Sequence, residues 1–385
     1  MKLLNKNNFY LIGVLLGVAL GSGHLTSLRF LGKVGASEIL FLFVLVFLLG
    51  KYVKKIFSFK RNLESVFRAY LYFSIFLVAP IVTLIVSAPS STPIHMISFS
   101  MSILLVFSII QARLEGFDLK NAVLWFLIVF FVVNFIALYV YPIENIRFDG
   151  RKYTGGAKNP NQIVYYAQSL TLLLVVFFNR AALLFIPFIV FLSFKTKSDA
   201  YILSIFLSVL LYIFLKVFYL RRYSFSSNFF IYIFPILFIA LLIVSKYQDE
   251  IITIWINAGG VIRGGLYLNA IEVIKESPLF GFGFGTFSGK SVPFEGTEAH
   301  SNPLDLAIQF GVLFAGLIYY VLFKAVVISI RRNDYLIASF MVAYILTGLF
   351  HYTARHFVFW VEFSVFYYYV FYQEKGDLVN EKKSI

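Results

Sequence analysis

Long apolar runs recur along this chain and constrain its fold more than any other feature of the sequence. Each run is bounded by charged residues or by Gly and Pro, and most approach the roughly 20 residues that a helix needs to cross a bilayer. They predict an all-α integral membrane protein with about twelve transmembrane helices. The runs lie at residues 9–25, 34–50, 69–89, 94–110, 121–141, 162–178, 181–194, 200–220, 228–245, 303–323, 335–351 and 356–373.

The composition leaves little material for soluble domains. Hydrophobic residues make up 60% of the 385 residues and charged residues only 14%, whereas soluble domains are about one quarter charged. Twelve spans would use about 240 residues, so we expect a single polytopic membrane domain over residues 1–385. Cysteine is absent, which excludes disulfides, thiol catalysis and cysteine metal sites.

The distribution of Lys and Arg predicts the orientation of the chain. With the N-terminus in the cytoplasm, alternating loops place about 20 of the 33 Lys and Arg residues on the cytoplasmic side. Both termini are then cytoplasmic, and the net charge of +14 reflects anchored loops rather than nucleic-acid binding. The residues assigned to the cytoplasmic side include Lys51, Lys54, Lys55, Lys60, Arg61, Arg68, Arg113, Lys120, Arg180, Lys216, Arg221, Arg222, Lys324, Arg331 and Arg332.

Two segments stand out on the predicted extracytoplasmic side, residues 142–161 and the large loop 246–302. Both are rich in Arg, Lys, Gly and Asn, although basic residues are normally sparse on this side. Loops longer than about 15 residues are usually functional or disordered. The apolar and aromatic content of these two segments is too high for disordered linkers, so we expect the functional site here.

The large extracytoplasmic loop contains a helical pattern and an aromatic turn. Residues 261–276 have apolar residues at helical spacing and end before Pro278, which predicts a short amphipathic helix in the membrane interface. The Gly-Phe-Gly-Phe-Gly sequence at 281–285 predicts a flexible turn. Its G-x-G does not follow a strand, which disfavours a dinucleotide site. The alternative is a plain loop whose Phe side chains enter the lipid.

Two helix starts on this side favour an anionic ligand. Asn302 is a suitable N-cap with Pro303 at the first helical position, and His300 lies just ahead of it. Asn159, Pro160 and Asn161 repeat this pattern at the sixth predicted span. Free N–H groups and the helix dipole attract anions at such positions. The alternative role for His300 is a cap or an interface residue.

Arginines near these helix starts make a phosphate or diphosphate the natural ligand. Guanidinium groups bind phosphate through paired hydrogen bonds, and Arg147, Arg151 and Arg263 lie beside Gly-rich or interfacial segments. The alternative is that these cations only contact lipid phosphates. We assign that simpler role to the lysines of the same segments, which are Lys152, Lys158, Lys275 and Lys290.

These residues resemble the bacterial O-antigen polymerase and O-antigen ligase superfamily. The matching features are Arg263 with its helix, the segment 277–285, and Ala299-His300-Ser301-Asn302 followed by Gly311. Ten residues separate His300 from Gly311, as in the His, ten residues, Gly pattern of the family. Residues 150–161, which end in Lys-Asn-Pro-Asn, are similar to the family's earlier outer-loop signature.

The resemblance implies a glycosyltransferase of the bacterial inner membrane that acts on its outer face. Its donor would be an oligosaccharide linked to undecaprenyl diphosphate, and its acceptor another glycan. By position, Arg263 would hold the diphosphate and His300 would activate the acceptor hydroxyl. Arg147, Arg151, Asn159, Asn161 and Asn302 would bind the substrate.

The resemblance also bears on cofactors and partners. No metal site and no cofactor are expected. The expected partners are the donor, the acceptor glycan, membrane lipids and a chain-length regulator, without nucleic acid.

Three functions remain open within this framework. A polymerase transfers the growing chain to another lipid-linked repeat unit, and a ligase transfers it to lipid A core. Ligase-like patterns place a second Gly three residues after the first, where this chain has Phe314, which favours the polymerase. The third function is a lipid-linked oligosaccharide flippase, for which charged residues within spans would be diagnostic. The candidates for that role are Glu38, His95 and Glu362.

The orientation is directly testable with topology reporters. We expect fusions after Gly155 and Lys290 to report an extracytoplasmic location, and fusions after Lys60 and Arg222 a cytoplasmic one, because Lys and Arg are retained on the cytoplasmic side. Phosphatase and fluorescent-protein reporters make the two measurements. A cytoplasmic signal after Lys290 would place the large loop on the wrong side for glycan transfer.

Overall fold

The computed structural model describes residues 6–25, 35–59, 62–85, 92–140, 148–149, 152–155, 157, 160–196, 199–220, 260–285 and 297–373. Within these residues the chain is helical except for two short antiparallel strands, β1 (Phe148–Asp149) and β2 (Lys152–Tyr153). Phe148 pairs with Tyr153 across this ladder. Apart from this short ladder, the predicted all-helical fold class is confirmed for the described residues.

Fourteen α-helices form the described part of the molecule. In chain order they are α1 (Lys6–Ser22), α2 (Ala36–Ile56), α3 (Leu63–Phe73), α4 (Ala79–Ile85), α5 (Thr92–Leu114), α6 (Lys120–Phe135), α7 (Pro160–Phe178), α8 (Ile186–Thr196), α9 (Asp199–Leu220), α10 (Gly260–Glu276), α11 (Asn302–Phe310), α12 (Val312–Arg331), α13 (Tyr335–Phe350) and α14 (Phe357–Tyr368). Single π-helical turns at Ser74–Val78, Ile136–Val140 and Tyr369–Gln373 continue α3, α6 and α14.

Six helical segments of the described chain are long and apolar enough to cross a membrane, judged by length and composition. Four shorter apolar helices accompany them, within α1, α9, α13 and α14. These features indicate a multi-pass membrane protein. The predicted span at 228–245 lies outside the described residues. The six segments are Ala36–Ile56, Leu63–Ile85, His95–Leu114, Lys120–Tyr139, Asn161–Leu184 and Val312–Arg331.

The predicted span at 303–323 is divided into two helices by Gly311. This residue has φ +86°, a left-handed conformation that favours glycine. A Cβ atom at this position would overlap the carbonyl oxygen of Leu279, so the close approach of the preceding loop also requires glycine. The long apolar helix α12 therefore starts at Val312, whose N–H donates to the Pro278 carbonyl at 2.8 Å.

The short predicted span at 181–194 is also divided. A 3₁₀ helix at Asn179–Leu184 continues α7, and α8 follows it from Ile186. The apolar run in the sequence did not reveal this break, because both segments are apolar.

Helix α14 lies at the centre of the bundle. All its residues from Phe357 to Tyr367 are buried, as expected for a helix that is apolar on every side. It packs against α5, α7 and α12. Aromatic contacts dominate this core, including Trp360 with Phe99 and Tyr367 with Phe107.

Polar side chains gather at the two ends of α14. At the end that we call the lysine end, Lys51 and Lys55 bind Glu115, each at 2.5 Å, and Arg68 donates to the Ser58 carbonyl at 2.6 Å. The Arg113 guanidinium lies 3.9 Å from the centre of the Tyr368 ring at the same end. These four basic residues, all predicted to be cytoplasmic, therefore lie together. The opposite end holds His24, His300, His351 and His356, and we call it the histidine end.

Substitution of Gly311 tests the break between α11 and α12. We expect Gly311→Ala to destabilise the protein by about 3 kcal/mol or more, because it combines a strained left-handed residue with a backbone overlap. Gly316→Ala is the matched control. It lies within α12 with open space around its Cα, so it should be neutral or stabilising by up to about 1 kcal/mol. Thermal unfolding in detergent measures both changes, and equal melting temperatures would contradict this account of Gly311.

Candidate functional site

Helix α10 and the start of α11 form one side of the candidate site. The helix predicted at 261–276 is confirmed as α10, whereas its place in the membrane interface stays a prediction. Leu266, Ala270 and Val273 of its apolar stripe are buried, and Ala270 and Val273 belong to a cluster with Phe282, Ala299 and Ile308. The stripe thus faces the protein rather than the lipid. This packing fixes the helix that carries Arg263.

The aromatic turn at 281–285 packs against protein. The N–H groups of Phe282 and Gly283 donate to the carbonyls of Ile308 and Gln309 at 2.7 and 2.9 Å. The N–H of Phe284 donates to the Thr83 hydroxyl at 2.8 Å. Phe282 and Phe284 are buried, so the alternative that these side chains enter the lipid is wrong. The turn instead ties the C-terminal end of α11 to α4.

Asn302 has a different role from the predicted N-cap. Ser301 precedes the helix, and Asn302 is its first residue. The Asn302 side chain donates to the Thr353 hydroxyl at 2.7 Å and accepts the N–H of Ala354 at 2.9 Å. The indole N–H of Trp360 donates to the Ala354 carbonyl at 2.6 Å. These bonds fix the loop 351–356 against the start of α11.

A buried ion pair joins these two segments. The Nη1 atom of Arg355 lies 2.6 and 2.7 Å from the two carboxylate oxygens of Glu298. Burial alone would lower the pKa of Arg355, but the Glu298 carboxylate outweighs it and raises that pKa. The side chain of Glu298 is 10% exposed and that of Arg355 is 31% exposed. Arg355 is therefore only partly enclosed, and its Nε atom also donates to Nε2 of His356 at 3.3 Å.

His300 is the exposed member of the site. Its side chain is 49% exposed, and its Nδ1 atom lies 3.8 Å from Glu298 Oε2. Partial burial lowers the pKa of His300, and Arg355 and Arg263 act in the same direction while Glu298 opposes them. The imidazole is therefore neutral near pH 7 and able to accept a proton.

Asp305 lies beneath this segment. Its carboxylate accepts the backbone N–H of Ala299 at 3.0 Å and that of Ser301 at 2.9 Å. Burial raises the pKa of Asp305 to about 7, and the negative charge of Glu298 adds to the effect. The two backbone hydrogen bonds act in the opposite direction.

The ring of Tyr165 contacts the rings of His351 and His356 at the loop 351–356. The Tyr165 hydroxyl lies 3.2 Å from Nδ1 of His351, and the Tyr165 ring also contacts His356. Burial lowers the pKa of His351 to about 3, and Arg263 acts in the same direction. His351 is thus neutral, and Tyr165 connects α7 to the site.

The structure brings three of the predicted site residues together. Arg263 lies close enough for its charge to lower the pKa of both His300 and His351, and Asn302 organises the adjoining loop. Asn161 lies one turn before Tyr165 at the start of α7, which begins at Pro160 as predicted. The remaining predicted binding residues lie outside the described part of the chain. They are Arg147, Arg151 and Asn159.

Arg355 is the residue that the sequence reasoning missed. It lies in the segment His-Tyr-Thr-Ala-Arg-His at 351–356, between two apolar runs. Two histidines and an arginine in so short a loop could have indicated a functional segment. The predicted topology also puts this loop and residues 246–302 on the same side. Within the described residues, no group of three or more His, Asp or Glu side chains is arranged to hold a metal.

Of the three candidates for a transport pathway, Glu38 has a local structural role. The Glu38 carboxylate accepts the Gly35 N–H at 3.0 Å and the Ser37 hydroxyl at 2.7 Å, so it caps the start of α2. Glu362 is fully buried in α14, beside Tyr344 and Ser169.

A cavity of about 450 Å³ lies at the lysine end, but its charges are compensated. Arg68 faces Glu64 at 3.7 Å and Lys55 binds Glu115. The histidine end combines two guanidinium groups and a neutral exposed imidazole with two carboxylates, Glu298, which pairs with Arg355, and the buried Asp305. This arrangement is suited to bind an anion and accept a proton beside it. No family model matches the chain, and a comparison with curated proteins finds no match.

The ion pair between Glu298 and Arg355 is testable by a double-mutant cycle. We expect Glu298→Gln and Arg355→Gln each to destabilise the protein by about 2–4 kcal/mol, because each leaves a largely buried charge without its partner. The double variant should recover at least about 1 kcal/mol of the summed loss.

The exposed pair of Glu272 and Lys275, whose side chains are 69% and 65% exposed, is the matched control. The same changes to Gln in that pair should each cost less than about 1 kcal/mol. Thermal unfolding in detergent measures all variants. Strict additivity at Glu298 and Arg355 would show that the two side chains do not interact.

Proposed function

We propose that this chain is a glycosyltransferase that polymerises oligosaccharide repeat units linked to undecaprenyl diphosphate. The observation that carries the proposal is the convergence of Arg263, Arg355 and His300 at one end of the helical bundle. A diphosphate needs charge neutralisation to leave, and a hydroxyl nucleophile needs a base. The three side chains supply both from three separate chain segments.

The two arginines would hold the diphosphate of the donor. The Arg263 side chain can bind phosphate oxygens through paired hydrogen bonds. In Arg355, Nη1 binds Glu298 and Nε donates to His356 Nε2 at 3.3 Å, so its Nη2 atom can add a further hydrogen bond to the same phosphate. Their positive charge stabilises the negative charge that develops on the leaving diphosphate. Glu298 keeps Arg355 in a fixed orientation, so little reorganisation is needed when the substrate binds.

His300 would be the general base. The acceptor hydroxyl oxygen attacks the anomeric carbon of the donor sugar, and the bond from that carbon to the diphosphate oxygen breaks. The diphosphate leaves with the electron pair, and the hydroxyl proton passes to the imidazole of His300. The Glu298 carboxylate, 3.8 Å from Nδ1, stabilises the imidazolium that forms.

The distribution of charge supports a site on the outer face of the bacterial inner membrane. Basic residues predicted to be cytoplasmic gather at the lysine end, and the proposed site lies at the opposite end of α14. We propose about twelve spans in a single domain, both termini in the cytoplasm, and an extracytoplasmic loop at 246–302. The donor, the acceptor glycan, membrane lipids and a chain-length regulator are the proposed partners, and the glycan is O-antigen, capsule or exopolysaccharide.

A deletion strain complemented with variants tests the proposal. We expect His300→Ala and His300→Gln to reduce transfer by about 10²–10⁴-fold, because neither side chain is basic. Arg263→Lys and Arg355→Lys should each reduce it by at least about tenfold, since a point charge lacks the planar donor pair. Arg331→Lys at the other end of α12 is the matched control and should retain transfer.

The glycan profile on a gel and the amount of each variant in the membrane are the measurements. Loss of the ladder with one repeat unit left on core supports the polymerase. Loss of all repeats from core would show a ligase, and an unchanged profile in the deletion strain would exclude both. Full transfer by His300→Gln alone would make His300 structural and leave Glu298 or Glu295 as the base.

A further inference from the structure

We propose that Asp305 is a positioning residue that fixes His300 for proton transfer. The inference rests on the proposed function. Its basis is a carboxylate clip, which we define as the Asp305 carboxylate with the backbone N–H groups of Ala299 and Ser301. One oxygen accepts from Ala299 at 3.0 Å and the other from Ser301 at 2.9 Å. His300 is the single residue between these two N–H groups.

The backbone of His300 needs such a clip. Its φ is +55°, a left-handed conformation that costs free energy for any residue with a Cβ atom. Neighbouring N–H groups around a left-handed residue form a concave site for an anion, and the Asp305 carboxylate fills it. Hydrogen bonds from N–H groups to a charged carboxylate are among the stronger ones in proteins. They offset the strain and fix the direction in which the Cα–Cβ bond of His300 points.

The clip also sets the neighbours of His300. The residue before Ala299 is Glu298, whose carboxylate binds Arg355 and lies 3.8 Å from the imidazole. The residue after Ser301 is Asn302, which holds the loop that carries Arg355. Release of the clip would therefore free the backbone of His300. It would also make the distance between His300 and Arg355 less fixed.

The clip is sensitive to protonation of Asp305. The side chain is buried, and the charged or titratable groups that act on it or face it are Glu298, Arg355, Tyr352 and Tyr267. Burial and Glu298 raise the pKa of Asp305 to about 7. Above this pH the carboxylate accepts both N–H groups. Below it, the acid O–H replaces one acceptor and faces an N–H donor, so the clip opens as the pH falls.

The Asp305→Asn variant tests whether Asp305 positions His300 or only stabilises the fold. The amide keeps the size of the side chain but places an NH₂ group against one backbone N–H. We expect hydrogen exchange at Ala299 and Ser301 to lose at least tenfold protection in this variant at pH 8. In the wild type, the same protection should fall between pH 8 and pH 6 after correction for intrinsic exchange. Asp334→Asn, at the start of α13, is the matched control and should change neither amide.

The pH profile of transfer to a lipid-linked repeat unit gives the second measurement. In the wild type, the rate should fall on the acid side with a midpoint near pH 7, as Asp305 becomes protonated. In Asp305→Asn, the maximal transfer rate at high pH should be at least tenfold lower. The fall in rate on the acid side should shift to lower pH, because only His300 then titrates. A purely structural role would reduce the amount of folded protein and leave the fall on the acid side in place.

The outcomes are distinct. Unchanged amide protection in Asp305→Asn, or lost protection with an unchanged transfer profile, would overturn the inference. If the variant does not fold, the wild-type pH dependence of the two amides still decides whether the clip exists. If the wild-type chain transfers no glycan, the proposed function and the catalytic meaning of the clip fail together, while amide protection still reports whether Asp305 fixes His300.

Discussion

The histidine end depends on the side-chain amide of Asn302. Its hydrogen bonds to Thr353 and Ala354 join segments that lie 51 and 52 residues apart in the chain. One of these segments carries His300 and Glu298, and the other carries Arg355. Because an Asn amide both donates and accepts, a single side chain satisfies a hydroxyl and a backbone N–H inside the protein. The same two segments are also joined by the ion pair between Glu298 and Nη1 of Arg355.

The charged side chains at the histidine end affect both its affinity for an anion and the basicity of His300. Partial burial lowers the pKa of His300, and the positive charges of Arg355 and Arg263, which would attract an anion, act in the same direction. Glu298 opposes that effect and also pairs with Arg355, so it limits the net charge of the site. The result is a neutral imidazole beside two guanidinium groups, whereas at the lysine end Lys51 and Lys55 share the single carboxylate of Glu115.

Periodicity and composition predicted most helices because apolar surface must face lipid or core. The structure confirms α10 before Pro278, and α7 begins at Pro160 as the sequence indicated. The break at Gly311 was not predicted, since both flanking segments are apolar and the cause is the Leu279 carbonyl, 32 residues away in the chain. The structure shows what the ten residues between His300 and Gly311 form. They comprise Ser301 and the nine residues of α11 between two backbone positions with positive φ.

The sequence by itself determined that this chain is helical and apolar, and it identified Arg263, His300 and Asn302 as residues of interest. These conclusions depend on local properties, which are residue type, spacing and helix signals. Only the tertiary structure decided that Arg355 pairs with Glu298, that Asp305 holds the backbone around His300, and that Asn302 bridges to the loop at 351–356. The physical reason is that hydrogen bonds and ion pairs between distant segments act over about 3 Å, and helix packing rather than sequence spacing sets which polar groups come that close.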